Sequence, residues 1–202
     1  MKKSTKPNPT LMTAASLGMA LLLVILVLAL SGVDNPMRGV IRAGALLAYL
    51  CVFLASLSAM FIKEITQRVG QSFMKVHHTW VVAGLVAMVI HATLFAWQIS
   101  TPTVFIPTFD SLEVFLRNGG RLALILFAIA TLTAIFRAAI GKHWKTLHWL
   151  NYLAFFLATA HAWLSGSSFI AWPMKALSGA MALTLLTVFV LKRARKSKRR
   201  KR

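Results

Sequence analysis

Carboxylates are scarce in this chain. Asp34, Glu64, Asp110 and Glu113 are the only four acids among 202 residues, set against 23 Lys and Arg, for a formal net charge of +19. So few acids exclude an enzyme built on paired carboxylates and a cage for a hard cation. Cysteine occurs once, as Cys51. No disulfide framework or CxxC site can form within the chain, and Cys51, inside an apolar run, reads as a small core residue. No GxGxxG fingerprint appears and no strand-rich stretch is left over, so the chain has no flavin or nicotinamide site of its own. What the chain does have is apolar sequence: 58% of residues are hydrophobic and mean hydropathy is +0.71. That is far too apolar for a soluble domain of this size. The apolar residues also come in long blocks, the pattern of membrane spans rather than of amphipathic helices.

The blocks predict an all-α integral membrane protein, a six-helix bundle with spans at about 11–32, 39–62, 76–98, 120–140, 145–165 and 169–191. Residues 1–10 form a short tail with Lys2, Lys3 and Lys6. The first block could be cleaved as a secretory signal after Ala29-Leu30-Ser31. It is long for that role, and a retained first helix is the expectation. Residues 192–202 form a polybasic tail. Directly after a span, such a tail reads as an anchor on anionic lipid rather than a nucleic-acid arm, and no nucleic-acid partner is expected. Within the longest connection, Ser111-Leu112-Glu113-Val114-Phe115-Leu116 predicts a short interfacial helix.

Loop charge sets the orientation. The N-terminus, the 63–75 loop, the 137–145 loop and the tail are each rich in Lys or Arg, whereas Asp34, Asp110 and Glu113 lie in the alternate connections. Both termini are therefore expected on the cytoplasmic side of the cell inner (plasma) membrane, with the chain crossing several times. Trp97 and Trp163 fall at the predicted outer edge, and Trp80, Trp144 and Trp149 at the inner one, as aromatic belts do.

Histidines interrupt two of the spans. Ionisable side chains in a span are costly and usually mark function. The third span carries His77, His78 and His91; the fifth carries His148 and His161, with His143 in the loop before it. Both spans run from inside to outside, so each offers one inner and one outer imidazole. At about 1.5 Å per residue the two levels lie roughly 21 Å apart. Two stacked hemes, each ligated by one histidine from each helix, would cover most of a ~30 Å hydrocarbon core. Zinc fits less well, because cysteine and carboxylate ligands are missing and ligand pairs on one helix usually lie three or four residues apart. A step of 14 returns to within ~40° of the same helix face and a step of 13 misses by ~140°. That favours His77 over His78 as the mate of His91. The step from His148 to His161 breaks the same rule, so His78 stays open as the alternative inner ligand.

Three stretches carry a family resemblance: His77-His78-Thr79-Trp80 through His91, Gly120-Arg121-Leu122-Ala123-Leu124, and Trp144-Lys145-Thr146-Leu147-His148-Trp149-Leu150-Asn151-Tyr152 through His161. Over about residues 40–190 the chain resembles the ferric reductase-like transmembrane domain family. That family includes ferric reductases, NADPH oxidases and the heme-binding subunit of a bacterial periplasmic methionine sulfoxide reductase. The resemblance implies a six-helix bundle with b-type heme on histidines of the third and fifth helices, and electron transfer from inside to outside. The ligands it implies are His77 (or His78), His91, His148 and His161. One departure is visible. The family pattern opens the third span with His-Arg-x-x-Gly, whereas this chain has His77-His78-Thr79-Trp80-Val81, with glycine only at Gly84.

The expected function is that of a membrane cytochrome b with about two hemes. It would take electrons from a separate flavoprotein or a quinol and pass them to an extracytoplasmic acceptor such as ferric iron, oxygen or a periplasmic redox protein. A second reading makes the chain the quinol-linked heme subunit of a periplasmic protein-repair reductase. A third, a transporter or assembly protein with structural histidines, is disfavoured by the lack of acids within the spans, where coupled transport usually places its relay.

Overall fold

The structure is a computed structural model that describes residues 9–69 and 73–200. The described residues are helical, joined by turns and short connections, with no strand among them. Ten α-helices follow in order: α1 (Pro9–Ser31), α2 (Pro36–Met60), α3 (Ile62–Val69), α4 (Phe73–Gln98), α5 (Leu112–Arg117), α6 (Gly119–Ile135), α7 (Arg137–Ile140), α8 (Trp144–His148), α9 (Leu150–Ser165) and α10 (Trp172–Arg200). Among the described residues, four segments are long and apolar enough to cross a membrane: Ala14–Ser31, Pro36–Met60, Met74–Gln98 and Trp172–Ala194. A fifth is gained if Gly119–Ile135 and Arg137–His148 form one broken span, although they meet at 84°.

Side-chain caps start two of the helices. Asn35 caps α2, its Oδ1 accepting the Met37 amide at 2.8 Å, with Pro36 at the first helical position, where a missing N–H costs nothing. Ser111 caps α5 by accepting from the Val114 amide at 3.2 Å, so the short helix anticipated in this connection is present as Leu112–Arg117. Two departures from the expected boundaries have physical causes. Helix α6 stops at Ile135, short of residue 140, because Phe136 leaves the helical region (φ −90°, ψ 25°). The 63–75 connection is partly helical: α3 carries Ile62, Ile65 and Val69 among polar residues and lies against α4.

The surface is apolar and the interior small. Leu22, Ile25, Val82 and Leu183 are each about 60% exposed, a distribution stable only where lipid rather than water surrounds the helices. The buried positions include Ala48, Ala55, Ala130, Ala154, Ser56, Thr159 and Ser178. Small residues let helix backbones approach, which is how spans pack when no hydrophobic drive operates between them.

Two antiparallel helix pairs dominate the packing, α2 against α4 and α6 against α9. Each closes tightly at a glycine: a Cβ on Gly44 would sit 3.0 Å from the Ala87 carbonyl oxygen, and one on Gly119 would sit 3.0 Å from that of Leu157. Arg42 ties one end of the bundle together. Its Nε donates to Ser168 Oγ at 2.9 Å, its Nη1 to the Gly32 carbonyl at 2.6 Å, and its Nη2 to Ser31 Oγ. This end also holds Asp34 and is called the acidic end below. At the other, basic end, Lys192 of α10 donates to the Met60 carbonyl and pairs with Glu64 at 3.4 Å. Hydrogen bonding to its own backbone N–H, with help from Lys192 and Lys63, holds the exposed Glu64 carboxyl below its usual range.

Candidate functional site

The four histidines in the two pairs of helices share one local arrangement. His91 on α4 places Nδ1 2.9 Å from the Ile41 carbonyl oxygen of α2. His148 places Nδ1 2.7 Å from the Ala130 carbonyl oxygen of α6. His161 places Nδ1 2.6 Å from the Arg117 carbonyl oxygen, just before α6. His77 faces the Ala55 carbonyl of α2. The register is regular: as α4 advances from 77 to 91, α2 runs back from 55 to 41, and as the chain advances from 148 to 161, its partner runs back from 130 to 117. Each antiparallel pair thus presents two imidazoles, each set against a carbonyl of the preceding helix at the same depth.

An Nδ1–H that donates to a carbonyl fixes the tautomer and leaves the Nε2 lone pair free. Nε2 of His91, His148 and His161 makes no hydrogen bond among the described residues. In metalloproteins a carbonyl that accepts from Nδ1 orients the imidazole with Nε2 outward, toward the metal.

His91 and His161 line one cavity across the bundle. His77 lies within electrostatic reach of His148, and His91 within reach of His161. Between His91 and His161 lies a cavity of about 530 Å³ at the acidic end, within the ~300–1,000 Å³ range of cofactor and ligand sites. Its walls are mostly apolar and aromatic, among them Tyr49, Phe127 and Phe155, and Arg38, Arg42 and Arg121 also line it. Gly120 leaves room for the His161 ring, since a Cβ there would fall 2.8 Å from its Cδ2. Arg121 in turn donates to the carbonyls of Thr103 and Ile106 at 3.0 and 2.9 Å, which ties the longest connection over this end of the bundle.

Among the remaining residues singled out from sequence, His78 is exposed on α4, its ring centroid 5.9 Å from that of His77. His143 sits exposed in a 3-10 turn before α8. No group of three or more His, Cys, Asp or Glu gathers as a metal cluster among the described residues. Sites of two histidines each do not require one. Gly120, read from sequence only as part of the Gly120–Leu124 stretch, is also the seat of the His161 ring.

These features define an all-helical, multi-pass membrane protein with partly buried histidines on two packed helix pairs. The chain matches no protein-family model, no curated protein and no solved structure.

Proposed function

We propose that the chain is a membrane cytochrome b: a six-span bundle with both termini cytoplasmic that holds b-type heme at two levels, on His77 with His148 and on His91 with His161. Heme, when bound, supplies a one-electron iron couple at each level. The observation that carries this reading is the carbonyl within 2.9 Å of Nδ1 in His91, His148 and His161, combined with the cavity that His91 and His161 share. Structural histidines that only bridge helices would have no reason to leave Nε2 free on both sides of a shared cavity.

The chain's own residues do the rest. Phe127, Phe155 and Tyr49 keep the interior between the levels apolar, which excludes water and lowers the local dielectric. Arg38, Arg42 and Arg121 offset negative charge on a group held between His91 and His161. Lys63, Lys142, Lys145 and Arg193 give the basic end a positive field suited to docking an acidic electron-donor protein. Electrons would enter at the basic end and leave at the acidic end to an extracytoplasmic acceptor.

The test is a spectrum. Purified from cells with full heme supply, the protein is expected to show dithionite-reduced Soret and α bands and about two hemes per chain. His91→Ala or His161→Ala should remove about one heme and leave the other. A heme-free preparation, or a full complement after both substitutions, would sink the proposal.

A further inference from the structure

The two ends of the bundle place their cations differently. At the basic end Lys63, Lys75, Arg137, Lys142, Lys145 and Arg193 are all exposed, where water and salt screen them. The titratable neighbours within electrostatic reach of His77 are other histidines, His78 and His148. At the acidic end Arg38, Arg42 and Arg121 line the cavity that His91 and His161 share, and no Asp or Glu lines it. None of these three arginines is in an ion pair among the described residues.

Arg121 is the best placed of the three. It follows Gly120, which seats the His161 ring, and its charge reaches that ring. It is half-buried and stands in the first turn of α6, where the helix dipole favours anions and disfavours a cation. The long connection holds it there: Nη1 donates to the Thr103 carbonyl at 3.0 Å and to the Ile106 carbonyl at 2.9 Å. These bonds occupy one nitrogen. Nε and Nη2 donate to no partner among the described residues. Arg42, by contrast, commits all three nitrogens to Ser168, Gly32 and Ser31, and Arg38 is exposed.

A guanidinium stays charged at any pH a protein meets. Adding an electron to a metal center lowers its charge by one, so a fixed cation beside the center favours the reduced form and raises its potential. At an effective dielectric of ~20, a unit charge ~10 Å away is worth about a tenfold change in that equilibrium. The screened lysines and arginines of the basic end are worth much less to the center nearest them.

We propose that Arg121 makes the center on His91 and His161 the higher-potential one of the two. Electrons then run downhill from the basic end to the acidic end. Arg121 ligates nothing and acts through its charge. The Thr103 and Ile106 carbonyls belong to the same device, because they pin that charge beside the cavity. This inference rests on the cytochrome reading above.

The test is a redox titration of the full chain in lipid nanodiscs, followed in the α band. Two one-electron steps are expected. His91→Ala should remove the step at higher potential and keep the lower one. Arg121→Gln should make the same center about tenfold harder to reduce, ~59 mV lower for a one-electron couple, and leave the other step in place. Arg121→Lys keeps the charge and should restore most of the potential, whereas a purely structural role would be lost in both variants. Loss of the lower step in His91→Ala overturns the proposal, as does an unmoved step in Arg121→Gln or an equal shift in the Gln and Lys variants. Should Arg121→Gln fail to fold, the order of the two steps read from His91→Ala and the potential in Arg121→Lys still decide it. A heme-free preparation sinks the cytochrome reading and this inference with it. Two hemes with reversed or unshifted potentials sink this inference alone.

Discussion

Gly120 is the residue on which the arrangement at the acidic end is easiest to probe. A Cβ there would meet the His161 ring at 2.8 Å from Cδ2 and 3.0 Å from Nε2. The ring cannot swing away cheaply, because its Nδ1 is held 2.6 Å from the Arg117 carbonyl oxygen. Alanine in a helix is favoured over glycine by up to ~1 kcal/mol. Overpacking a tight site costs about 1–3 kcal/mol, and here the steric term wins. Gly120→Ala is expected to lower thermal stability in detergent and to reduce occupancy of the center on His91 and His161, while the center on His77 and His148 persists. Retention of both centers with unchanged melting would refute this account of Gly120. The histidines were legible as a constellation because charge-capable side chains stand out in an apolar run. What holds them was not, since the acceptors are backbone carbonyls, which no residue type announces. His77 lies against the Ala55 carbonyl, and His78 is exposed.

At the scale of elements, the break between α6 and α8 is what the hydropathy pattern conceals. The span expected at about 120–140 contains no proline to interrupt it. The chain nonetheless leaves the helix at Phe136 and bends by 84°. One signal was present: Gly141 adopts φ 64° and ψ −136°, a conformation that side-chain-bearing residues rarely take. Nothing lies within 4 Å of where its Cβ would be, so the cost of Gly141→Ala is purely one of backbone, ~1–3 kcal/mol. Gly18 provides the control. It too has nothing within 4 Å but sits mid-helix in α1, where alanine is favoured by up to ~1 kcal/mol. Thermal unfolding should therefore separate the two, with Gly141→Ala melting lower than the parent and Gly18→Ala at or above it. Equal effects would show that the Gly141 conformation is not required. The capped helices were easier to anticipate: Asn35-Pro36 and Ser111 are start signals whose chemistry is local, and they act as such.

For the whole molecule, the question is whether α9 crosses the membrane. With 16 residues it rises ~24 Å, short of a ~30 Å core. The chain does not begin its crossing at Leu150, however. Trp149 keeps helical dihedrals (φ −72°, ψ −11°) and joins α8 to α9. The two together rise ~33 Å, if α8 continues the axis of α9. Contacts at both ends agree. Arg193 of α10 lies 4.0 Å over the Trp149 ring at the basic end, where Lys192 also reaches Met60. At the far end, Ser168, just past α9, accepts from Arg42, and the Leu164 carbonyl accepts from Arg117 at 3.3 Å. The segment from Trp149 to Ser168 therefore runs from one end of the bundle to the other, and α10 runs back. Six crossings with both termini on one side follow if α6 and α1 also cross. Cys51 is fully buried, so the native chain offers little background to a membrane-impermeant maleimide. Single cysteines at the exposed positions Asp110, Lys142 and Ser167 decide the topology. In intact cells, Asp110→Cys and Ser167→Cys should label at once and Lys142→Cys only after permeabilisation. Labelling of Lys142→Cys and Ser167→Cys from the same side would mean that α9 does not cross, and would place His148 and His161 outside the stacked arrangement that the cytochrome reading requires.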